Sequence, residues 1–139
     1  MGLNYFLGTG KSSDLGLDIQ YTKSFKKHTL QAGLELRSID WGNHLGLIIG
    51  YQAPYTKKAS FLLASHTSLH PGIALFHQAP LGTIGFSHLF LVKWQSKKRS
   101  FLQIDMGARY SICPGYKKYG PNSQLEFPLS IKWGLRFSR

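Results

Sequence analysis

The chain has 139 residues, a length that fits one domain spanning residues 1–139. Only 17% of them are charged, yet 17 Lys and Arg against 6 Asp and Glu leave a formal charge of +11, which favours an anionic partner such as nucleic acid or a phosphate-bearing membrane surface. The single cysteine, Cys113, excludes an intrachain disulfide and a cysteine-rich metal site, and no apolar run reaches the roughly eighteen residues of a membrane helix.

Met1 to Gly10 lacks the basic start and long apolar core of a signal peptide. An exported form would therefore have lost its leader, with Met1 an added start. Leu3–Leu7 reads as a short first strand. The stretch Gly8-Thr-Gly-Lys-Ser-Ser13 has the look of a phosphate loop, but the position where a Walker glycine belongs is Tyr5. An alternating segment follows where that motif requires a helix, so the stretch reads as a loop.

From Leu15 onward the chain alternates with period two, the mark of strands with one oily and one polar side. Leu15–Phe25 sets Leu15, Leu17, Ile19 and Tyr21 against Asp18, Gln20 and Thr22. A turn at Lys26-Lys27-His28 leads into Thr29–Arg37, where Leu30, Ala32, Leu34 and Leu36 oppose Gln31, Glu35 and Arg37. After a loop through Asp40-Trp41-Gly42-Asn43 comes His44–Pro54, then a turn at Thr56-Lys57-Lys58. Ala59–His70 is the least regular strand, with Ser65 and Thr67 on the face of Phe61 and Leu63. Pro71 to Gly82 reads as a loop because prolines and glycines punctuate it. Thr83–Gln95 follows, with His88 on its oily face and Leu89 and Leu91 opposite. Ser96-Lys97-Lys98 turns the chain into Phe101–Ser111. A loop over Ile112–Asn122 precedes Gln124–Phe137, whose faces are Leu125, Phe127, Leu129, Ile131, Trp133, Leu135, Phe137 and Gln124, Glu126, Pro128, Ser130, Lys132, Gly134, Arg136.

This pattern predicts an all-β fold: an eight-stranded antiparallel up-and-down transmembrane β-barrel. Short basic turns alternate with longer loops at residues 8–14, 38–43, 71–82 and 112–122. An even strand count with short turns at one end and long loops at the other is the pattern of a bacterial outer-membrane barrel. The acids set the inside. Asp18, Glu35, Asp105 and Glu126 share the polar strand faces with Arg37, Arg109, Lys132 and Arg136. An interior ion-pair network satisfies these charges, whereas one in hydrocarbon costs about 2–4 kcal/mol at the midplane. Phe25, Tyr55, Phe61, Trp94, Phe101 and Trp133 gather toward the basic-turn end, as an interfacial aromatic girdle would. The alternative is a soluble, lipocalin-like barrel with the oily face inward.

The run Gly82-Thr-Ile-Gly-Phe-Ser-His-Leu-Phe90, then Arg109-Tyr-Ser111, Lys117-Lys-Tyr-Gly-Pro-Asn122 and Pro128-Leu-Ser-Ile-Lys-Trp-Gly-Leu-Arg-Phe137 resembles the C-terminal half of the outer-membrane lipid A deacylases. Residues 1–80 add only the barrel pattern. The resemblance implies hydrolysis of a lipid A acyl ester without a cofactor, by a His-x-Ser pair on the seventh strand and a Glu on the eighth. The matching positions are Arg109, Ser111 and, at a slightly different spacing, Glu126. A serine ester hydrolase needs a neutral imidazole to take the serine proton, and Arg109 stays protonated. His66 and Ser68 repeat the spacing on the polar face of another strand and are the fallback pair.

Three function classes remain. One is a non-catalytic outer-membrane barrel, structural or a subunit of a larger outer-membrane complex, whose partners are membrane lipid and lipopolysaccharide. Another is a lipid A esterase; the last is a soluble calycin-like binder of an apolar ligand. The first is the expectation carried forward. The six histidines are too scattered for a metal site, and no cofactor is expected. The lysines sit in separated turns without an aromatic stacking platform, so no nucleic-acid partner is expected either.

Overall fold

The computed structural model describes residues 2–8, 13–25, 28–39, 41–58, 60–77, 79–96 and 100–135. Residues 9–12 of the loop-like stretch, Lys26, Lys27, Asp40, Lys97, Lys98, Arg136 and Phe137 lie outside the described residues. Within them the protein is an all-β antiparallel sheet. Its strands are β1 (Gly2–Gly8), β2 (Ser13–Phe25), β3 (His28–Ile39), β4 (Gly42–Lys58), β5 (Phe61–Phe76), β6 (Ala79–Gln95), β7 (Ser100–Ile112) and β8 (Ser123–Leu135). Each pairs with its sequence neighbour, and β1 also pairs with β8, so the sheet closes on itself. Tyr5 faces Leu15 on one side and Leu129 on the other.

Alternation decides which side chains turn inward, and the polar set does. Asp18, Glu35, Arg37, Asp105, Arg109, Glu126 and Lys132 are buried. Leu17, Leu34, Leu47 and Ile131 are 47, 53, 50 and 51% exposed on the outside, and Ile104, partly exposed, pairs with Ile131. Among the described residues some apolar side chains break this rule, the buried Ala64 of β5 being a small one and three others large. Ile48, Leu89 and Leu91 point into the interior and are buried there. Eight strands leave an interior just wide enough to be filled by side chains, and a few of these need not be polar.

Two expected loops are strand instead. Residues 71–82 do not form a long loop: β5 runs through Pro71 and Gly72 to Phe76, and β6 begins at Ala79. The β4–β5 ladder lapses between Gly46–Gly72 and Ile49–Leu69, so the missing N–H of Pro71 falls where pairing is already interrupted. On the other side Pro71 still faces Ile84 of β6. Likewise β4 does not stop at Pro54 but continues to Lys58, with a register shift between Pro54 and Thr56. The extra residue at that bulge is Tyr55, directly after the proline, and the strand runs on through the expected turn at Thr56-Lys57-Lys58.

The end of the barrel where β4 begins is roofed. The chain between β7 and β8 makes a short 3₁₀ turn, Pro114–Lys118. Trp41, Ala74 and Cys113 form a buried cluster beneath it, with Leu81 and Tyr116 packed against them. The Trp41 indole N–H donates to the Pro121 carbonyl at 3.2 Å. The Phe76 ring lies 4.9 Å from Tyr116 and 5.0 Å from Tyr119.

Gly42 opens β4 with φ +102°, and a Cβ there would stand 2.0 Å from the Leu75 carbonyl oxygen. Both the backbone and the neighbouring strand therefore require glycine. Gly42→Ala should lower stability by at least about 1–2 kcal/mol, read as a fall in the thermal unfolding midpoint. Gly82→Ala, whose added methyl meets nothing within 4 Å, should leave the midpoint nearly unchanged.

Candidate functional site

The interior holds the chemistry, and strand pleat places it there. Residues two apart share a face, so β3 sends in Glu35 with Arg37, and β7 sends in Gln103, Asp105, Arg109 and Ser111. From β8 come Gln124, Glu126, Ser130 and Lys132, and from β5 His66, Ser68 and His70. The β7–β8 register sets Arg109 opposite Glu126.

Two ion-pair groups fill the interior. In one, the pairs reach across the barrel rather than along the sheet. Arg37 on β3 donates to both oxygens of Glu126 on β8 at 2.7 Å, and Arg109 on β7 donates to Glu35 on β3 at 2.7 Å. Looser contacts of 3.7 Å complete the square between Arg37 and Glu35 and between Arg109 and Glu126. Two guanidiniums thus face two carboxylates, and their formal charges cancel. In the other group, Lys132 lies 2.8 Å from Asp105 and 3.7 Å from Asp18. Gln103 and Ser130 also donate to Asp105. Arg136, expected in this network, lies outside the described residues.

The resemblance-based trio comes together as neighbours, but without a base. Ser111 is buried, and its hydroxyl accepts a 3.2 Å hydrogen bond from Arg109 Nε. Glu126 is held by Arg37 at 2.7 Å. A guanidinium that donates to the serine oxygen cannot take its proton.

The fallback pair is also rearranged. No hydrogen bond joins His66 to Ser68 among the described residues, and neither ring nitrogen of His66 has a hydrogen-bond partner there. Ser68 Oγ instead lies 2.9 Å from His70 Nε2 and 2.7 Å from Ser87 Oγ. His70 Nε2 is 3.0 Å from Ser87 Oγ, while its Nδ1 is 3.5 Å from Glu35 Oε2. This carboxylate–imidazole–hydroxyl order is the one ester hydrolases use. Sequence reasoning passed over His70 and Ser87. The available signal was local, because His66, Ser68 and His70 stand two apart and share the inward face.

Space decides what this group can do. The cavity beside it, lined in part by His66, Ser68, His70, Ser87, Arg109 and Lys132, is about 30 Å³. About 10–15 Å³ of such space is enough to hold a water molecule, so the cavity takes water and is small for an acyl chain. Glu35 is committed more closely to Arg109 than to His70. Ser68, His70 and Ser87 therefore make a buried hydrogen-bond network, beside which the His66 ring and His70 Nδ1 have no hydrogen-bond partner among the described residues. Among the described residues no group of three or more His, Cys, Asp or Glu is placed to hold a metal ion.

Removing one member of the cross-barrel square should cost far more than removing a pair. Arg109→Leu leaves Glu35 without its 2.7 Å partner and should destabilise by about 3–5 kcal/mol, measured by chemical unfolding. Adding Glu35→Leu to Arg109→Leu should recover part of that loss, because the remaining Arg37 and Glu126 still neutralise each other.

Comparison of the chain with protein-family models, with curated proteins and with solved structures gives no match.

Proposed function

We propose that the chain is an integral β-barrel of the bacterial outer membrane with a non-catalytic role, structural or as a subunit of a larger outer-membrane complex. The observation that carries this reading is the inverted distribution of side chains. A belt that includes Leu17, Leu34, Leu47, Phe86, Phe90, Leu129 and Ile131 is exposed around the outside. The carboxylates and guanidiniums are sealed within. In water such a belt is an association surface far beyond what a soluble monomer carries. In a bilayer it is the lipid face, and the closed sheet leaves no unpaired strand edge in hydrocarbon. Exposed Phe25, Tyr55, Trp94 and Trp133 mark its boundary at the end where β2, β4, β6 and β8 finish. That end is periplasmic in this reading, and the roofed end faces lipopolysaccharide.

The soluble binder is disfavoured by the same interior. A calycin-like protein needs an apolar cavity, and this one is filled by ion pairs around a cavity of about 30 Å³. One specific observation favours the esterase, namely the Glu35–His70–Ser87 order. Lack of room for a lipid acyl group sets it second.

Two measurements test these readings. Leu129 is central in the outward run Leu125, Phe127, Leu129, Ile131 and Trp133 of β8. Leu129→Arg should destabilise the protein folded in phospholipid bilayers by about 2–4 kcal/mol. A folded, monodisperse protein in detergent-free buffer, unharmed by this change, would sink the membrane reading. In the second, the purified barrel is incubated with lipid A, and no fatty acid should be released. Release that disappears in His70→Gln and Ser87→Ala would replace the non-catalytic reading with the esterase.

A further inference from the structure

The outer belt carries a polar interruption on the wall formed by β4 to β7. Thr67 of β5 and His88 of β6 face one another on the outward side, and Thr67 Oγ1 lies 2.8 Å from His88 Nδ1. His88 is exposed between Phe86 and Phe90, which are exposed as well. Ser65, two residues from Thr67, shares its face. The neighbours of this group are small. Ala108 of β7 pairs with His88, and Ala53 of β4 pairs with Ser65. Short side chains therefore lie around the imidazole, whereas Leu34, Leu47, Met106 and Leu129 cover other parts of the belt.

In the membrane reading this group lies deep. Trp94 belongs to the aromatic boundary, and His88 stands six residues before it on β6. At about 3.3 Å per residue that is about 20 Å along the strand, or about 15 Å of depth for a strand tilted by about 40°. The apolar band of such a barrel is about 25 Å tall, so the imidazole lies near its middle. Hydrocarbon offers no hydrogen-bonding group there, and headgroups are out of reach. Thr67 meets Nδ1, but among the described residues Nε2 makes no hydrogen bond. A ring nitrogen left to lipid costs free energy that a protein partner at the same depth removes.

We infer that this notch is the contact face of a homodimer, in which a second copy of the chain packs side by side in the same bilayer. The inference rests on the membrane reading and deepens it by naming the partner in the larger complex. Depth removes headgroups and dissolved anions as occupants, and self-complementarity selects a second copy. Two barrels inserted in the same direction are related by a two-fold axis along the membrane normal. Such an axis brings each side chain opposite others of its own depth. The group carries an imidazole nitrogen together with two hydroxyls, and a hydroxyl both donates and accepts. Nε2 of each copy therefore finds a hydroxyl of the other, whichever tautomer the ring holds. Short side chains let the two walls approach closely, as small residues do between membrane helices. The Phe86 and Phe90 rings beside the notch add apolar area to the contact.

The test uses the full-length barrel in density-matched detergent micelles, with its mass read by sedimentation equilibrium over a wide range of protein-to-detergent ratios. The unmodified protein should be a dimer that dissociates on dilution. His88→Leu should stay folded and weaken the dimer by about tenfold, because two symmetric hydrogen bonds are lost. A contact held by apolar area alone would be unchanged or tightened by leucine, and that result would overturn the inference. Ala108→Phe leaves the Thr67–His88 pair in place and should weaken the dimer by filling the notch. Ile19→Phe, on exposed β2 across the barrel, should leave it unchanged. A folded monomer at every ratio would also overturn the inference and leave the notch to a different membrane protein. Protein that stays folded and monodisperse without detergent would strike the membrane reading itself, and this inference with it.

Discussion

The square formed by Glu35, Arg37, Arg109 and Glu126 is the constraint on which the interior depends. A carboxylate or guanidinium taken out of water loses several kcal/mol of solvation, and only close opposite charges with good hydrogen bonds offset that loss. The protein meets this requirement across the barrel. The 2.7 Å contacts join β3 to β7 and β3 to β8, so they tie walls that the sheet itself does not hold together. The weaker 3.7 Å contacts run within β3 and between β7 and β8. Such a square is not a large source of net stability. It fixes one arrangement, because any shift of register by one residue would turn a charged side chain to the outside and an oily one to the inside.

Below the square the interior changes character. The Lys132, Asp105 and Asp18 group carries one cation for two acids, and Gln103 and Ser130 supply further donors to Asp105. Ile48, Leu89 and Leu91 fill other space without asking for partners. Trp41, Ala74 and Cys113 close the opposite end under the Pro114–Lys118 turn. The interior is thus packed largely with ion-paired and hydrogen-bonded side chains. This packing leaves little space beside the group ordered like a hydrolase triad.

Strand faces were legible in the sequence because the period of two is a local property. The alternating sets around Leu17, Leu34, Leu47 and Ile131 could be assigned to one side without knowing any contact. The extent of β4, β5 and β6 was not legible. Pro54, Pro71 and Gly82 are breakers by composition, yet a bulge and a lapse in the ladder accommodate the two prolines inside strands. That compensation resides in the neighbouring strand, not in the sequence near the proline. Pairings across the interior were hidden for a related reason. Arg37 and Glu126 are 89 residues apart, and Arg109 and Glu35 are 74. The polar face named the participants, but nothing in local spacing says which carboxylate each guanidinium meets. The substitution of His70 for His66 as the imidazole beside Ser68 is the same limit at short range, since both stand two residues from it.

The closure of β1 onto β8 has a consequence in time as well as in space. Contacts between the two ends of a chain are the slowest to form, because the entropy of closing the longest loop must be met before any contact rewards it. Here the reward is also deferred. Glu126 meets Arg37 only when β8 has come round to face β3, and β8 is made well after β3 during synthesis. Until then the carboxylates of β2, β3 and β7 have to remain hydrated. A partly wound sheet would thus keep its inner face wet. Pairing in the interior is thereby coupled to the arrival of the thirteen-residue strand β8, Ser123–Leu135.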